Sequence, residues 1–165
     1  SSSSAPRSCR HDRAMTGRAD QYEPLSDEAA ARWAKFGRSE TVYYPMLLGL
    51  HVEETRADYC RMRMPFKAEL LQPGGIVHGG AIASLMDAVL VPAVGSVLGP
   101  SDRFSTVDLH VQYIGAVKDE DVVAEGWVTK RGRSVVFCES EAVGATSGRL
   151  IARSVLTYNV SPAPT

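Results

Sequence analysis

The sequence predicts an α+β domain in which a curved antiparallel sheet wraps around one long central helix. Two observations carry this. Residues 79–98 read as a helix that is apolar nearly all round, with Ile82, Leu85, Met86, Val89, Leu90 and Val91, so more than one surface must cover it. After the break at Gly99-Pro100-Ser101-Asp102, four strand-like segments follow in succession, 106–113, 121–130, 134–143 and 149–160. The last two connections, "RGR" and "GATSG", are short and contain glycine, as antiparallel hairpins require.

The other elements follow in chain order. The opening "SSSSAPRSCRHDRAM" is rich in Ser and Arg, with Asp12 as its one acid. It lacks the apolar core of a secretory signal, so residues 1–20 are read as a disordered leader or transit peptide outside the domain. A single domain over 21–160 and a frayed tail over 161–165 complete the organisation. "SDEAAARWAKF" predicts a short helix over 26–36. Ser26 is its N-cap, Asp27 and Glu28 sit in its first turn, and Gly37 stops it. Residues 46–64 alternate loosely, as a strand pair or one bent strand, until Pro65. Gln72-Pro73-Gly74-Gly75 has turn chemistry. In "TVDLHVQY", strict alternation puts Val107, Leu109, Val111 and Tyr113 on one face and Thr106, Asp108, His110 and Gln112 on the other.

Composition narrows the function. A chain of 165 residues, 44% apolar and 22% charged, is long and apolar enough for one core. A formal net charge of −1 gives no basic footprint for nucleic acid. Cys9, Cys60 and Cys138 are odd in number and far apart, which suggests neither a disulfide framework nor a zinc site and favours the cytoplasm. His11, His51, His78 and His110 have no metal-ligand spacing, so no metal is expected. The apolar run 81–98 is interrupted by Asp87 and Pro92, which argues against a membrane span.

The chemistry concentrates in "GGIVHGGAIASLMDAV". Gly79 and Gly80 open the helix, where the first N–H groups have no intrahelical partner and the dipole adds positive potential. Without side chains they let a ligand oxygen approach closely, or they simply permit tight helix–sheet packing. Asp87 is a carboxylate in an apolar helix. It is either paired and inert, or poised as a base or nucleophile. Gly79 and Asp87 are eight residues apart, roughly 12 Å along one helix, too far to share a carbonyl. Two antiparallel copies of the helix bring Gly79 of one chain near Asp87 of the other. A sheet of this kind also leaves a free edge that invites pairing with a second copy, so a homodimer is expected.

These residues, with "STVDLHVQYIGAV", the Gly-Arg hairpin and "GRLIARSVLTY", resemble the hotdog-fold thioesterases of the PaaI-like branch over roughly residues 40–160. The resemblance implies a hotdog fold, an acyl-CoA or aryl-CoA substrate and hydrolysis without a cofactor. It implies that the Gly79 N–H polarises the thioester carbonyl and that Asp87 attacks it or activates water. Gln72, where many relatives have Asn, would bond the carboxylate, water or thioester across the interface. His78 would sit beside the carbonyl or leaving sulfur. Thr106, with Ser105 as fallback, would orient the water. Relatives place CoA contacts near the hairpin, which here offers Lys130, Arg131, Gly132 and Arg133, and arginine suits phosphate. Hotdog dimers also pair further, so a dimer of dimers is expected.

Two other readings use the same fold. A hotdog hydratase or dehydratase relies on an Asp and His in a different motif. A non-enzymatic acyl-CoA sensor carries a DNA-binding segment, and residues 1–45 show no helix-turn-helix pattern.

Overall fold

The computed structural model describes residues 17–161. Most of the expected leader, 1–16, and the tail after 161 lie outside the described residues. The first described residues lie against the sheet. Ala19 is buried, Arg18 stacks 3.6 Å over the Trp127 ring, and Tyr22 stacks on Tyr59 at 5.2 Å.

Helix α1 (Asp27–Ala34) starts where its sequence says it should: Ser26 Oγ accepts from the Ala29 N–H at 3.3 Å. A strand was expected from residue 46, but Tyr44–Leu48 forms a short helix, α2. Pro45 occupies its first turn, where a missing N–H is harmless, and Gly49 closes it at φ 73°. Strands β1 (His51–Arg56) and β2 (Tyr59–Met64) then form a hairpin, so the segment is a pair rather than one bent strand.

The central helix is divided. Helix α3 (Gly79–Ala88) passes through a turn at Val89 into α4 (Leu90–Gly95). Pro92 has no N–H for the Ala88 carbonyl, which weakens the ladder at that turn. Strands β3 (Arg103–Tyr113), β4 (Val122–Arg131), β5 (Val135–Gly144) and β6 (Leu150–Ser161) complete a six-stranded sheet in the order β1-β2-β4-β5-β6-β3. Every pairing is antiparallel, and the sheet wraps the helix as in a hotdog fold.

The core lies between that sheet and α3–α4. Leu85, Met86, Val89 and Leu90 are fully buried against Met62, Val136, Ala142, Ile151 and Leu156. Each such side chain contributes about 1.5–3 kcal/mol by leaving water. Gly126 of β4 leaves room for the helix to pack against the strand. A Cβ there would lie 2.8 Å from Val89 Cγ1.

Strand β3 departs from strict alternation. Thr106 pairs with Tyr158 and Asp108 with Thr157, so Val107 is an extra residue, a bulge. The expectation that Thr106 shares a face with Asp108 and His110 is therefore corrected: the bulge turns Thr106 to the helix side, where Leu109 opposes the buried Leu156. As an edge strand β3 is almost wholly exposed, with Val107 at 64% and Tyr113 at 53%.

Candidate active site

The site is built from the start of α3. The Leu71–Val77 bridge and a bond from the His78 N–H to the Leu70 carbonyl (2.7 Å) pin the loop that delivers His78. His78 is the N-cap: its Nδ1 accepts from the Gly80 N–H at 2.8 Å. That bond needs an unprotonated Nδ1, which leaves the proton of the neutral ring on Nε2. Glycine at 80 makes the fold-back of the ring workable, since a Cβ there would lie 2.9 Å from Nδ1. Glycine at 79 answers to a different neighbour. The Tyr113 ring would be 3.1 Å from its Cβ, and the Tyr113 hydroxyl donates to the Gly79 carbonyl at 2.8 Å.

Those contacts dispose of the helix start except for one group. The Gly79 N–H donates to no other described residue. Further along the same half-exposed stripe, Ser84 donates to the Gly80 carbonyl at 2.8 Å. Its single proton is then spent, so in the 2.9 Å contact with Tyr44 the phenol is the donor.

Asp87 lies one turn beyond Ser84, half-buried. Its Oδ1 accepts from Thr106 Oγ1 at 2.8 Å and from the Tyr158 hydroxyl at 3.3 Å. Burial and then the Asp87 charge push the Tyr158 phenol up, so it stays protonated and donates. Ser105, next to Thr106, pairs with Asn159 and points away from the carboxylate.

The other expected residues sit as follows. Gln72 Oε1 accepts from the Gly74 N–H, so in a single chain its carbonyl caps its own turn. Arg131 is turned inward. Its Nε donates to Asp58 at 3.2 Å, and its Nη2 reaches Asp58 and, at 3.0 Å, the Val94 carbonyl. This ties the β4–β5 hairpin to α4 and occupies much of the guanidinium fork expected to meet phosphate. Lys130, Gly132 and Arg133 remain exposed. One chain thus brings Asp87 and Thr106 together and holds Gly79 and His78 at the far end of α3.

Sequence reasoning missed Tyr158 and Tyr113. Tyr158 stood only as one residue of the strand expected over 149–160. Its available signal is that a buried phenol needs a partner for its hydroxyl.

A thioesterase superfamily model matches residues 74–150, which include the helix start, Asp87, Thr106 and the hairpin. A Deinococcus radiodurans protein provisionally named an esterase is 32% identical over 129 residues, 74% of this chain and 78% of that protein. The chain belongs to the thioesterase superfamily. A conserved protein of Pseudomonas aeruginosa superposes with a TM-score of 0.69 at 30% identity, over 73% of this chain and 95% of its own. Acyl-coenzyme A thioesterase 13 of Mus musculus is 29% identical over 80 residues, 48% of this chain and 56% of its own length. Among the described residues no group of three or more His, Cys, Asp or Glu side chains is arranged to hold a metal ion, and no helix is long and apolar enough to cross a membrane.

Proposed function

We propose that this thioesterase-superfamily chain hydrolyses acyl- or aryl-CoA thioesters to the free acid and CoA, as a cytoplasmic enzyme without a cofactor. One observation carries the reading: the Gly79 N–H is without an acceptor among the described residues, while Asp87, on the same half-exposed helix stripe, is held by Thr106. The name of the mouse relative supports the substrate class.

The site is completed by a second copy paired along the free edge of β3. The Gly79 N–H of one chain then holds the carbonyl oxygen, and Asp87 of the other takes a proton from water or attacks the carbonyl carbon directly. In the first route water adds to the carbonyl carbon, the C–S bond breaks and the CoA thiolate takes the proton from Asp87. In the second Asp87 displaces the thiolate to form a mixed anhydride, and water then cleaves that anhydride, restoring Asp87 and supplying the thiolate's proton. Removing one such oxyanion donor costs about 10²–10³ in turnover in well-studied hydrolases. The Thr106 proton is spent on Asp87, so its oxygen accepts from the attacking water. His78 holds the helix start in place, with Nε2–H facing the carbonyl or sulfur. Gln72 has its amide nitrogen available across the interface. Lys130 and Arg133 hold the CoA phosphates, with Gly132 shaping the turn. Exposed Val107, Tyr113 and Ile114 along the edge suit burial against a second chain, and dimers pair again into a tetramer.

The test is a panel of acyl- and aryl-CoA esters assayed for released thiol. Hydrolysis of at least one class is expected. Binding of CoA esters without thiol release, or loss of the enoyl chromophore on addition of water to enoyl-CoA, overturns the reading.

A further inference from the structure

The end of α3 rests on Tyr158 of β6, which the proposed reaction does not use. The last four carbonyls of a helix lack intrahelical donors. Here two of them are met by hydroxyls from the sheet beneath. Ser140 Oγ of β5 donates to the Met86 carbonyl at 3.3 Å, and the Tyr158 hydroxyl of β6 lies 3.1 Å from the Asp87 carbonyl. The same Tyr158 hydroxyl is 3.3 Å from Asp87 Oδ1. Its ring is 1% exposed and packs beside Phe104, so the phenol has no freedom to swing away. A group placed to satisfy the helix end is thereby placed against the carboxylate as well.

Oδ1 accepts from Thr106 of β3 and, at 3.3 Å, from Tyr158 of β6, whose single proton is shared with the Asp87 carbonyl at 3.1 Å, so both hydroxyls lie on the Oδ1 side of the carboxylate. No described residue donates to Oδ2. We propose that Tyr158 is a positioning residue: with Thr106 it clamps Oδ1 and so fixes Oδ2 as the oxygen that meets water or the thioester carbon. This rests on the reading of Asp87 as the reacting carboxylate.

Tyr158→Phe removes only the hydroxyl and keeps the buried ring. With a CoA ester as substrate and the folded fraction checked by thermal unfolding, kcat falls about tenfold, the scale of one lost bond to a charged group. KM stays within about twofold, as expected when an interaction made only in the transition state is lost. Wild-type kcat overturns the proposal. A fall in kcat matched by an equal rise in KM, or one that vanishes when the rate is referred to the folded fraction, does so too, because that is what loss of mere structural support gives. Should Tyr158→Phe fold poorly, Thr106→Val, which removes the other donor to Oδ1, is read by the same kcat-against-KM split, and wild-type kcat there overturns the proposal. Asp87→Ala run beside it separates the two readings: an active Asp87→Ala defeats the assignment of Asp87 itself, whereas an inactive Asp87→Ala with an unaffected Tyr158→Phe defeats only the clamp.

Discussion

At the start of α3 the cap is local, with His78 reaching two residues forward to the Gly80 N–H, and the contact that comes from 34 residues away, the Tyr113 hydroxyl, meets a backbone carbonyl rather than a side chain. At its end Asp87 is held from 19 residues away by Thr106 and from 71 residues away by Tyr158. The first end works through backbone: a capped turn, two absent side chains and one N–H left over. The second works through a side chain clamped by the sheet. Changes at the far end should therefore strike the rate, and changes to the cap at the near end should strike stability first.

The largest effect belongs to Asp87. Asp87→Ala should lower kcat at least about a hundredfold, the scale of a lost general base, with an unchanged unfolding transition. Near wild-type turnover would erase the distinction between the ends. Thr106→Val comes next. It keeps the strand shape and removes the 2.8 Å donor, so a drop of about tenfold in kcat is expected. An effect on KM alone would move Thr106 from the chemistry to binding. At the near end, His78→Ala should cost about 1 kcal/mol of stability, as loss of an N-cap does. Gly80→Ala should cost a similar amount by pushing the ring off, since its Cβ would meet Nδ1 at 2.9 Å. The double variant should fall short of the sum, because both remove the same bond. Full additivity in urea unfolding would show that the cap is not what Gly80 protects. The smallest effect is at the hairpin. Lys130→Ala with Arg133→Ala should raise KM several-fold for CoA esters and leave pantetheine esters unaffected, as expected for lost phosphate contacts. Equal changes on both would remove phosphate from the account.

The same contrast explains what was legible beforehand. Local signals read well. Ser26 capped α1 as its position implied, and the glycine-containing connections gave the three-strand run β4–β5–β6. The apolar wheel around Leu85, Met86 and Leu90 gave the helix that the sheet wraps. Where a single residue redirected the chain, periodicity misled. Pro45 made a helix out of an apparent strand, Pro92 divided α3 from α4, and the Val107 bulge reversed the face of Thr106. Alternation has no way to register one extra residue, because a bulge depends on the partner strand. Arg131 looked like a surface cation in a charged turn, and only the β1–β2 turn brought against it supplied Asp58. Tyr158 of β6 needed α3 laid across the sheet before its hydroxyl had anything to hold.

In the proposed dimer Gly79 and Asp87 act on one carbonyl from two different chains. The direct measurement mixes Asp87→Ala protein with Gly79→Val protein, whose added side chain would meet the Tyr113 ring, after confirming that each alone is inactive and that mixed dimers form. In a mixed dimer one site holds both defects and the other holds none. Free exchange at equal amounts should restore about a quarter of wild-type activity. Proven mixed dimers that remain as inactive as their parents would contradict the claim.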